Sequence, residues 1–462
     1  MYEDVQDEPL YDDAEDDVDL PELDPDMHAD PEHHWDISTM TLDMKNAFLQ
    51  SKLDRVLYMY QPDYFNDGTD RVCKLLKSIY RLKQSPLLWY KALDDVLMGA
   101  GWKKSQVGQV LYFKVGGDGV ACWVLVYVDD LLAASSSTDM LRELKELLEA
   151  AFELREILPV DRHLGLEIVR NRSARKLWLH QQGYADKLRR RFIDEDQTGR
   201  TLKTPVSVDA YDELTFDNEE AQERQEEEYR QKVGSLQFAA TTTRLDIAFA
   251  CSKLRSGLTV RSDQHWREVD RCLSYLASTH DTALEFGGGP ESLELVGYVD
   301  ADDAGDKQNM TSTGGYVFVY GGAAVSWSSQ RIKCATMSST ESEYVAVTEA
   351  GKEGRRLRFL LAEFQQLDAG KPTVLRVDNK SAITVAEGMG LTGNLKHMER
   401  RQAWLQHMVR RGKFSLRYIP TTEQPADFLT KALHYPAFNR CSVAIGQVRL
   451  ADVGNEDDDV QQ

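Results

Sequence analysis

Hydrophobic and polar positions follow two different periods in the first third of the chain. The run at 123–128 is β-branched and aromatic, stops at Asp129 and Asp130, and resumes as an apolar stretch at 131–134. This pattern predicts a β-hairpin with two acids at its tip. After Thr138, which can cap a helix, apolar residues recur at i, i+3 and i+4 spacing as far as Phe152. That period predicts an amphipathic helix.

The rest of the chain mixes the two periods. Helical periodicity dominates 229–290, where three glycines and Pro290 mark a break. The following segment shows strand patterns, a long helix from about Thr340, a strand at 373–377, a helix, a strand at 414–419 and a short final helix. We therefore predict an α+β multidomain chain. Its parts are a first globular unit at 35–204, a linker and connection region at 205–290, and a mixed-sheet α/β domain at 291–440.

Charge adds two terminal segments to this organisation. The net charge is −21, but residues 1–36 carry sixteen Asp and Glu without any Lys or Arg, and residues 456–459 add four more acids. The remainder of the chain is close to neutral. Blocks of one charge sign repel themselves and are usually disordered. We therefore predict a disordered acidic leader at 1–34 and an acidic tail at 441–462.

Cysteine spacing and hydropathy indicate the cellular compartment in which the protein is expected. The six cysteines contain no C-x-x-C pair, so neither a zinc spacing nor a disulfide framework is indicated, as is usual in a reducing compartment. No apolar region of signal-peptide type follows the N-terminus, and the longest apolar run, at 120–128, is too short to span a bilayer. These features predict an intracellular protein, in the cytoplasm or nucleus, without a membrane partner.

A first group of acids is suited to metal chemistry. Asp129 and Asp130 lie at the predicted hairpin tip, and Asp43 ends a short apolar run. Paired acids at a tight turn are often only turn formers. Carboxylates that converge from separate strands can instead hold two Mg²⁺ ions for reactions of nucleoside triphosphates, because hard cations prefer oxygen ligands.

The segments that carry these acids resemble a known family. Tyr127-Val-Asp-Asp130 is similar to the catalytic hairpin of reverse transcriptases, and the segment from Leu42 to Phe48 resembles their first carboxylate motif. Further segments, in family order, resemble the copia-type retrotransposon Pol polyprotein: Val56-Leu-Tyr-Met59, Val72-Cys-Lys-Leu75, Leu82-Lys-Gln-Ser-Pro86 and Trp89-Tyr90. The resemblance implies a reverse transcriptase palm and thumb, an RNA-directed DNA polymerase that uses an RNA template, a DNA primer and dNTPs.

The same resemblance assigns roles to individual residues. Asp43, Asp129 and Asp130 would be the catalytic, metal-binding carboxylates. Phe48 would exclude a ribonucleotide hydroxyl by its bulk, although it can equally be a core aromatic. Gln84 would contact the incoming nucleotide or be an ordinary surface amide. The residues of the primer-contacting hairpin would be Leu164, Gly165, Leu166 and Glu167, where a plain strand with a glycine bulge is the alternative.

A second group of acids follows the same logic. Asp300 and Asp378 end strand patterns, Glu341 and Glu343 open the long helix, and Asp427 starts the last helix. Each can be a cap or a first-turn acid. In this order they resemble the RNase H domain of the same family, which implies that Asp300, Glu343, Asp378 and Asp427 are catalytic and hold two Mg²⁺, with Mn²⁺ as a substitute.

The resemblance implies hydrolysis of the RNA strand of an RNA–DNA hybrid by an activated water. Glu343 is preferred over Glu341 because the family pairs this glutamate with a tyrosine, here Tyr344.

The sequence also departs from the family. The basic fingers segment expected before Asp43 is replaced by the acidic leader, Arg81 stands at a usual glycine position, and Leu87 stands where a basic residue is common. A bulky residue at a glycine position strains a turn. We therefore expect an N-terminally truncated enzyme whose polymerase half is impaired and whose RNase H half survives. The alternative is a catalytically dead remnant that binds nucleic acid or a protein.

Overall fold

The computed structural model describes residues 37–453 apart from 118, 158–159, 194–201, 209–222, 259–262, 288–292, 307–310, 334–335, 337, 365, 369 and 389–398. The predicted leader at 1–34 lies outside these residues, as does the acidic end of the predicted tail. Within them, no helix combines the length and the apolar character needed to cross a membrane.

The first unit is built on an antiparallel six-stranded sheet. Its order is β4-β5-β6-β7-β1-β8. The strands and helices of this unit are β1 (Ser38–Met44), α1 (Ala47–Gln50), β2 (Tyr58–Tyr60), β3 (Val72–Lys74), α2 (Ser85–Gly99), β4 (Lys103–Lys104), β5 (Leu111–Val115), β6 (Ala121–Tyr127), β7 (Asp130–Ser135), α3 (Thr138–Ala151) and β8 (Leu154–Ile157). Strands β2 and β3 form a separate small hairpin.

The predicted hairpin and helix are both present in this unit. Strands β6 and β7 pair directly, and α3 buries Leu141, Leu144 and Leu148 against the sheet. The helix cap is one residue earlier than predicted, because the side chain of Ser137, not Thr138, accepts a hydrogen bond from the backbone of Met140.

A second antiparallel sheet joins distant parts of the chain. Its order is β18-β12-β11-β10-β9. The elements around it are β9 (Arg162–His163), β10 (Leu166–Asn171), β11 (Lys176–His180), α4 (Gln182–Phe192), α5 (Glu223–Thr242), α6 (Ala248–Leu254), α7 (Asp263–Ser278) and β12 (Thr282–Phe286). Because β11 pairs with β12, the first unit and the connection region share one sheet.

The third sheet is mixed, as predicted for the C-terminal region. The order is β15-β14-β13-β16-β17. Strand β14 pairs antiparallel with both β13 and β15, whereas β16 pairs parallel with both β13 and β17. The elements are β13 (Val296–Asp306), β14 (Thr311–Tyr320), β15 (Ala323–Arg331), α8 (Ser339–Glu363), β16 (Thr373–Val377), α9 (Lys380–Ala386), α10 (Glu399–Arg410), β17 (Phe414–Tyr418), α11 (Tyr435–Ala444), β18 (Gln447–Arg449) and α12 (Leu450–Val453). The predicted α+β architecture is confirmed.

Residues 441–453 correct the predicted tail. They end α11 and form β18 and α12, and β18 pairs with β12. Cys441 and Ile445 are buried in a core that also contains residues of α4 to α7. The acidity that suggested a tail begins only at Glu456, so the apolar residues before it remain free to pack.

A buried ion pair ties this C-terminal strand to the connection region. Arg244 Nη2 lies 2.7 Å from Asp246 Oδ2, with both side chains almost fully buried. Tyr275 and Gln447 also donate hydrogen bonds to the Asp246 carboxylate, at 2.8 and 3.1 Å. Burial alone would raise the pKa of Asp246, but the Arg244 guanidinium lowers it below its usual value. The charge is therefore fully compensated, as a buried carboxylate requires.

Candidate active sites

The tip of the β6–β7 hairpin is held in a strained turn. Tyr127 pairs with Asp130, so Val128 and Asp129 form the turn, and Val128 has a φ of 55°. This left-handed conformation is costly for a β-branched residue and persists only where the surroundings enforce it. Trp89 Nε1 donates to the Val128 carbonyl at 2.5 Å, and Met44 N donates to the Asp129 carbonyl at 2.8 Å. The turn is thus fixed against α2 and the end of β1.

The structure places Asp43 beside the two hairpin acids. Asp43 and Asp130 are direct partners in the antiparallel pairing of β1 and β7. Burial raises the pKa of Asp130, and the negative charges of Asp129 and Asp43 add to the rise. One carboxylate is already engaged, because Arg155 Nε donates to Asp43 Oδ2 at 2.6 Å. We refer to Asp43, Asp129 and Asp130 as the hairpin site.

The residues predicted to contact a nucleotide lie near α2. The ring of Phe48 is half-buried and meets Tyr80 edge to face at 4.8 Å. Gln84 precedes α2, and its side chain makes no capping hydrogen bond. Arg81 adopts a φ of 72°, which confirms that this position favours glycine. The packing of Phe48 against the palm core is compatible with either predicted role.

The predicted primer hairpin is a tight turn between β9 and β10. Leu164 and Gly165 both have positive φ, 49° and 81°, and Leu166 and Glu167 begin β10. Leu164 is exposed at the tip. Glu167 is tied inward, because its carboxylate lies 3.1 Å from His180 Nδ1 and 3.2 Å from Arg162 Nη2. The tip is therefore more accessible to a partner than the glutamate is.

The second set of acids meets at the end of the mixed sheet. Asp300 lies within β13 and Asp378 directly follows β16. The parallel pairing of these strands ends at Val299 and Val377, so the two aspartates follow its last pair side by side. Glu343 faces them from the beginning of α8, which is capped by Ser338. Asp427 belongs to a 3₁₀ turn at Pro425–Leu429. We refer to Asp300, Glu343, Asp378 and Asp427 as the sheet site.

Three of these acids are close enough to share one ion. One oxygen each of Asp300, Glu343 and Asp378 lies within 4.8 Å of the other two, and in the described part of the chain this is the only such group of three or more acidic, Cys or His ligands. Asp300 and Glu343 are 2% and 5% exposed. Glu341, the alternative ligand, is half-buried and outside the group.

Crowding of carboxylates shifts their protonation. Burial, followed by the charges of Asp300 and Asp378, raises the pKa of Glu343 to about 9. Burial and the charge of Asp300 raise the pKa of Asp427 to about 7. Burial also raises the pKa of Asp300, against the opposing effects of Lys431 and Thr430. Metal-free, the cluster therefore retains protons at neutral pH.

Unpartnered oxygens show what this cluster is suited to hold. Glu343 Oε2 and Asp378 Oδ1 are buried, and neither has a hydrogen-bond partner among the described residues. Buried polar atoms are normally satisfied, and each exception needs an explanation. A hard divalent cation that takes carboxylate oxygens supplies one. Asp302, two residues after Asp300 on β13, is half-buried, and burial raises its pKa.

Several residues of the sheet site were not assigned from the sequence. Gly315 pairs with Asp300 across β13 and β14, and a Cβ there would lie 2.8 Å from Thr430 Cγ2 and 2.9 Å from Leu429 Cβ. The missing side chain lets the segment that carries Asp427 approach the sheet. Gln424 Nε2 donates to the Val299 carbonyl at 2.9 Å and fixes the start of that segment. A glycine pair inside a strand pattern is the sequence signal for such an approach.

The fold and the two acid sites define a reverse transcriptase palm joined to an RNase H-like domain. Residues 30–206 match the family model described as "Reverse transcriptase (RNA-dependent DNA polymerase)". The chain is 35% identical over 420 residues to the retrovirus-related Pol polyprotein from transposon TNT 1-94 of Nicotiana tabacum. That alignment covers 89% of this chain and 31% of the relative. This chain therefore spans about a third of that protein.

A second relative and a solved structure are also similar to this chain. The putative transposon Ty5-1 protein of Saccharomyces cerevisiae is 32% identical over 315 residues, which is 68% of this chain and 100% of the relative. The foamy viral protease-reverse transcriptase, solved in complex with an RNA/DNA hybrid, has a TM-score of 0.49 and 13% identity, covering 86% of this chain and 45% of that one. The chain belongs to the copia-type retrotransposon Pol polyprotein family.

Proposed function

We propose that this chain is an RNA-directed DNA polymerase and ribonuclease H of a copia-type retrotransposon, in which the sheet site is the more competent of the two. The observation that carries the proposal is the group of Asp300, Glu343 and Asp378, in which Glu343 Oε2 and Asp378 Oδ1 are buried without a hydrogen-bond partner among the described residues. Buried like charges of this kind are stable only when a cation or protons compensate them. The proposed substrate is the RNA strand of an RNA–DNA hybrid.

The sheet-site carboxylates would hold Mg²⁺, or Mn²⁺ in its place. A bound divalent cation would supply transition-state charge stabilisation and a water that is more easily deprotonated. Glu343 keeps a proton at neutral pH while the site is metal-free and must release it to become a ligand. Thr421 Oγ1 donates to Asp378 Oδ2 at 2.7 Å, which orients that carboxylate so that its other oxygen faces the group.

The hairpin site is proposed to bind Mg²⁺ through Asp43, Asp129 and Asp130 for nucleotidyl transfer. Phe48 and Gln84 would contact the dNTP, and the turn at Leu164 and Gly165 would contact the primer on its RNA template. Its impairment is supported by the ion pair of Arg155 with Asp43, which occupies an oxygen that the cation needs. The acidic leader would add repulsion of phosphates.

Hybrid cleavage tests the ribonuclease proposal. The full chain is incubated with Mg²⁺ and an RNA–DNA hybrid labelled on the RNA strand, and fragments are resolved by electrophoresis. Cleavage is expected, with a loss of about 100-fold or more in Asp300→Asn, because a catalytic metal contributes several kcal/mol and about 1.4 kcal/mol is tenfold. Intact RNA, or equal cleavage by the variant, would refute the proposal.

Primer extension tests the polymerase proposal separately. A DNA primer on an RNA template is incubated with dNTPs and Mg²⁺, and Asp129→Asn serves as the blank. Only weak extension above the blank is expected. Robust synthesis would contradict the proposed impairment.

A non-enzymatic role is the second candidate for the hairpin half alone, favoured by the same Arg155 contact. Retained binding of the primer-template, with extension equal to the blank, would support it.

A further inference from the structure

Lys431 places a positive charge inside the sheet site. Its ammonium lies 3.1 Å from Asp427 Oδ1 and 3.6 Å from Asp300 Oδ2. It directly follows Thr430, whose hydroxyl donates a hydrogen bond to the same Asp300 oxygen. Both residues arrive on the segment that Gly315 allows to touch the sheet. The ammonium is therefore delivered by a fixed part of the backbone.

Two carboxylates hold this ammonium in place. The Lys431 side chain is 34% exposed, whereas those of Asp427 and Asp300 are 12% and 3% exposed. Removing the ammonium would leave two largely buried carboxylates without their cation, which is costly.

The four acids accordingly divide into two unequal parts. Asp300, Glu343 and Asp378 converge, and the unpartnered oxygens of Glu343 and Asp378 belong to this part. Asp427 lies outside that group. Its Oδ1 also has no hydrogen-bond partner among the described residues, but it lies 3.1 Å from the Lys431 ammonium in an ion pair. Asp300 Oδ2 is also engaged, because it accepts a hydrogen bond from Thr430 and lies 3.6 Å from the Lys431 ammonium. A cation shared by Asp300 and Asp427, about 2 Å from each oxygen, would occupy the space of the ammonium.

We propose that the Lys431 ammonium is a resident cation of the sheet site, which replaces one of the two divalent ions expected from the resemblance, so that the site binds a single divalent ion on Asp300, Glu343 and Asp378. The inference deepens the proposed ribonuclease function and rests on the cation site described there. Asp427 then serves as a positioning residue that anchors Lys431.

Counting bound Mn²⁺ tests the inference without substrate. The full chain is titrated with Mn²⁺, and free Mn²⁺ is followed by electron paramagnetic resonance. The Asp300→Asn variant is the blank, because it lacks a ligand of the sheet site but keeps the hairpin site and the acidic termini. Subtracting the number of ions that it binds leaves the number bound at the sheet site. Relative to this blank, the parent is expected to bind one additional Mn²⁺ per chain. Lys431→Arg, which keeps the positive charge, is expected to do the same. This number rises to two for Lys431→Met, which keeps the length of the side chain and removes the charge.

Two ions in the parent, or one ion in Lys431→Met, would overturn the inference. If Asp300→Asn does not fold, as judged by circular dichroism, the half-buried Asp378→Asn provides the blank. Because no hybrid is present, the outcome is separable from the ribonuclease test: a count of one in a protein that cleaves no hybrid would refute the proposed function and retain the single-ion site.

Discussion

The hairpin site and the sheet site both bring together aspartates from neighbouring strands, but their surroundings differ. In the hairpin site, the Asp43 side chain is 21% exposed and pairs with an arginine that is itself 65% exposed. In the sheet site, the Asp300 side chain is 3% exposed, and buried oxygens of Glu343 and Asp378 face no donor among the described residues. The hairpin carboxylate is neutralised by an exposed arginine, whereas the sheet site keeps unpartnered buried oxygens despite the ion pairs of Lys431.

This difference shows that nearby acids alone do not define a metal site. Water and Arg155 can stabilise the hairpin carboxylates without a metal, so their proximity costs little. Burial removes that option in the sheet site, where the cluster must take up protons, a lysine or a metal ion. The sheet site is therefore the one that we propose to hold a divalent cation.

The largest expected effect separates two glutamates of one helix. Glu343→Gln should reduce hybrid cleavage by about 100-fold or more, because it removes a ligand of a catalytic cation. Glu341→Gln, two residues earlier and outside the carboxylate group, should change cleavage by less than about twofold, which is about 0.4 kcal/mol. Initial cleavage rates at saturating Mg²⁺ measure both. Equal losses would remove the assignment of Glu343.

A matched pair of glycines tests the approach of the 425–431 segment to the sheet. Gly315→Ala would bring a Cβ within 2.8 Å of Thr430, whereas a Cβ at Gly314 finds its nearest neighbour, Ala346 Cβ, at 3.4 Å. Overpacking of this kind costs about 1–3 kcal/mol. Thermal melting should show a clear loss of stability for Gly315→Ala and little for Gly314→Ala, and only the former should lower hybrid cleavage. Similar melting of both variants would contradict the close approach.

The raised pKa of Glu343 predicts how metal-free stability depends on pH. The carboxyl titrates near its ordinary value when unfolded but at about 9 when folded, so between these values the folded state binds more protons. Stability therefore falls as the pH rises through this window. The loss attributable to Glu343 should be about 2–3 kcal/mol between pH 6 and 8, because each pH unit inside the window costs about 1.4 kcal/mol for one bound proton.

Thermal melting in EDTA at a series of pH values measures the stability that protonated Glu343 contributes. The difference in free energy of unfolding between the parent and Glu343→Gln isolates the contribution of this carboxyl, because the other titrating groups are common to both proteins. In saturating Mg²⁺, this difference should no longer depend on pH. A difference that is independent of pH in EDTA would show that Glu343 is ionised in the metal-free protein.

Sequence patterns predicted the fold correctly in segments whose hydrophobic periodicity corresponds to the face that is buried in the structure. Strand β16 has the predicted bounds, and the hairpin at Asp129 and the helix near Thr340 lie where expected. The tail boundary failed because β18 pairs with β12, more than 150 residues earlier in the chain. Its three residues carry too little periodicity to reveal a partner at that distance.

The acids of both sites could be predicted from the sequence, but the cations that contact them could not. Acids that end strand patterns were found from the sequence, since parallel and antiparallel neighbours bring such ends together. The position of Lys431 between two carboxylates depends on the close approach at Gly315. The role of Arg155 depends on β8 pairing with β1. Neither contact leaves a local pattern, because each depends on which strands become neighbours.

The smallest expected effect concerns Arg155, the residue that distinguishes the hairpin site. Arg155→Gln should change the free energy of unfolding by less than about 0.5 kcal/mol, because exposed ion pairs contribute little. It frees Asp43 Oδ2, so any residual primer extension should rise by about twofold, which corresponds to roughly 0.4 kcal/mol. Arg142→Gln is the matched control, since Arg142 is 66% exposed and pairs with Asp139 on α3. If both variants leave extension unchanged, the ion pair does not restrain Asp43, and the proposed impairment of the hairpin site loses this support.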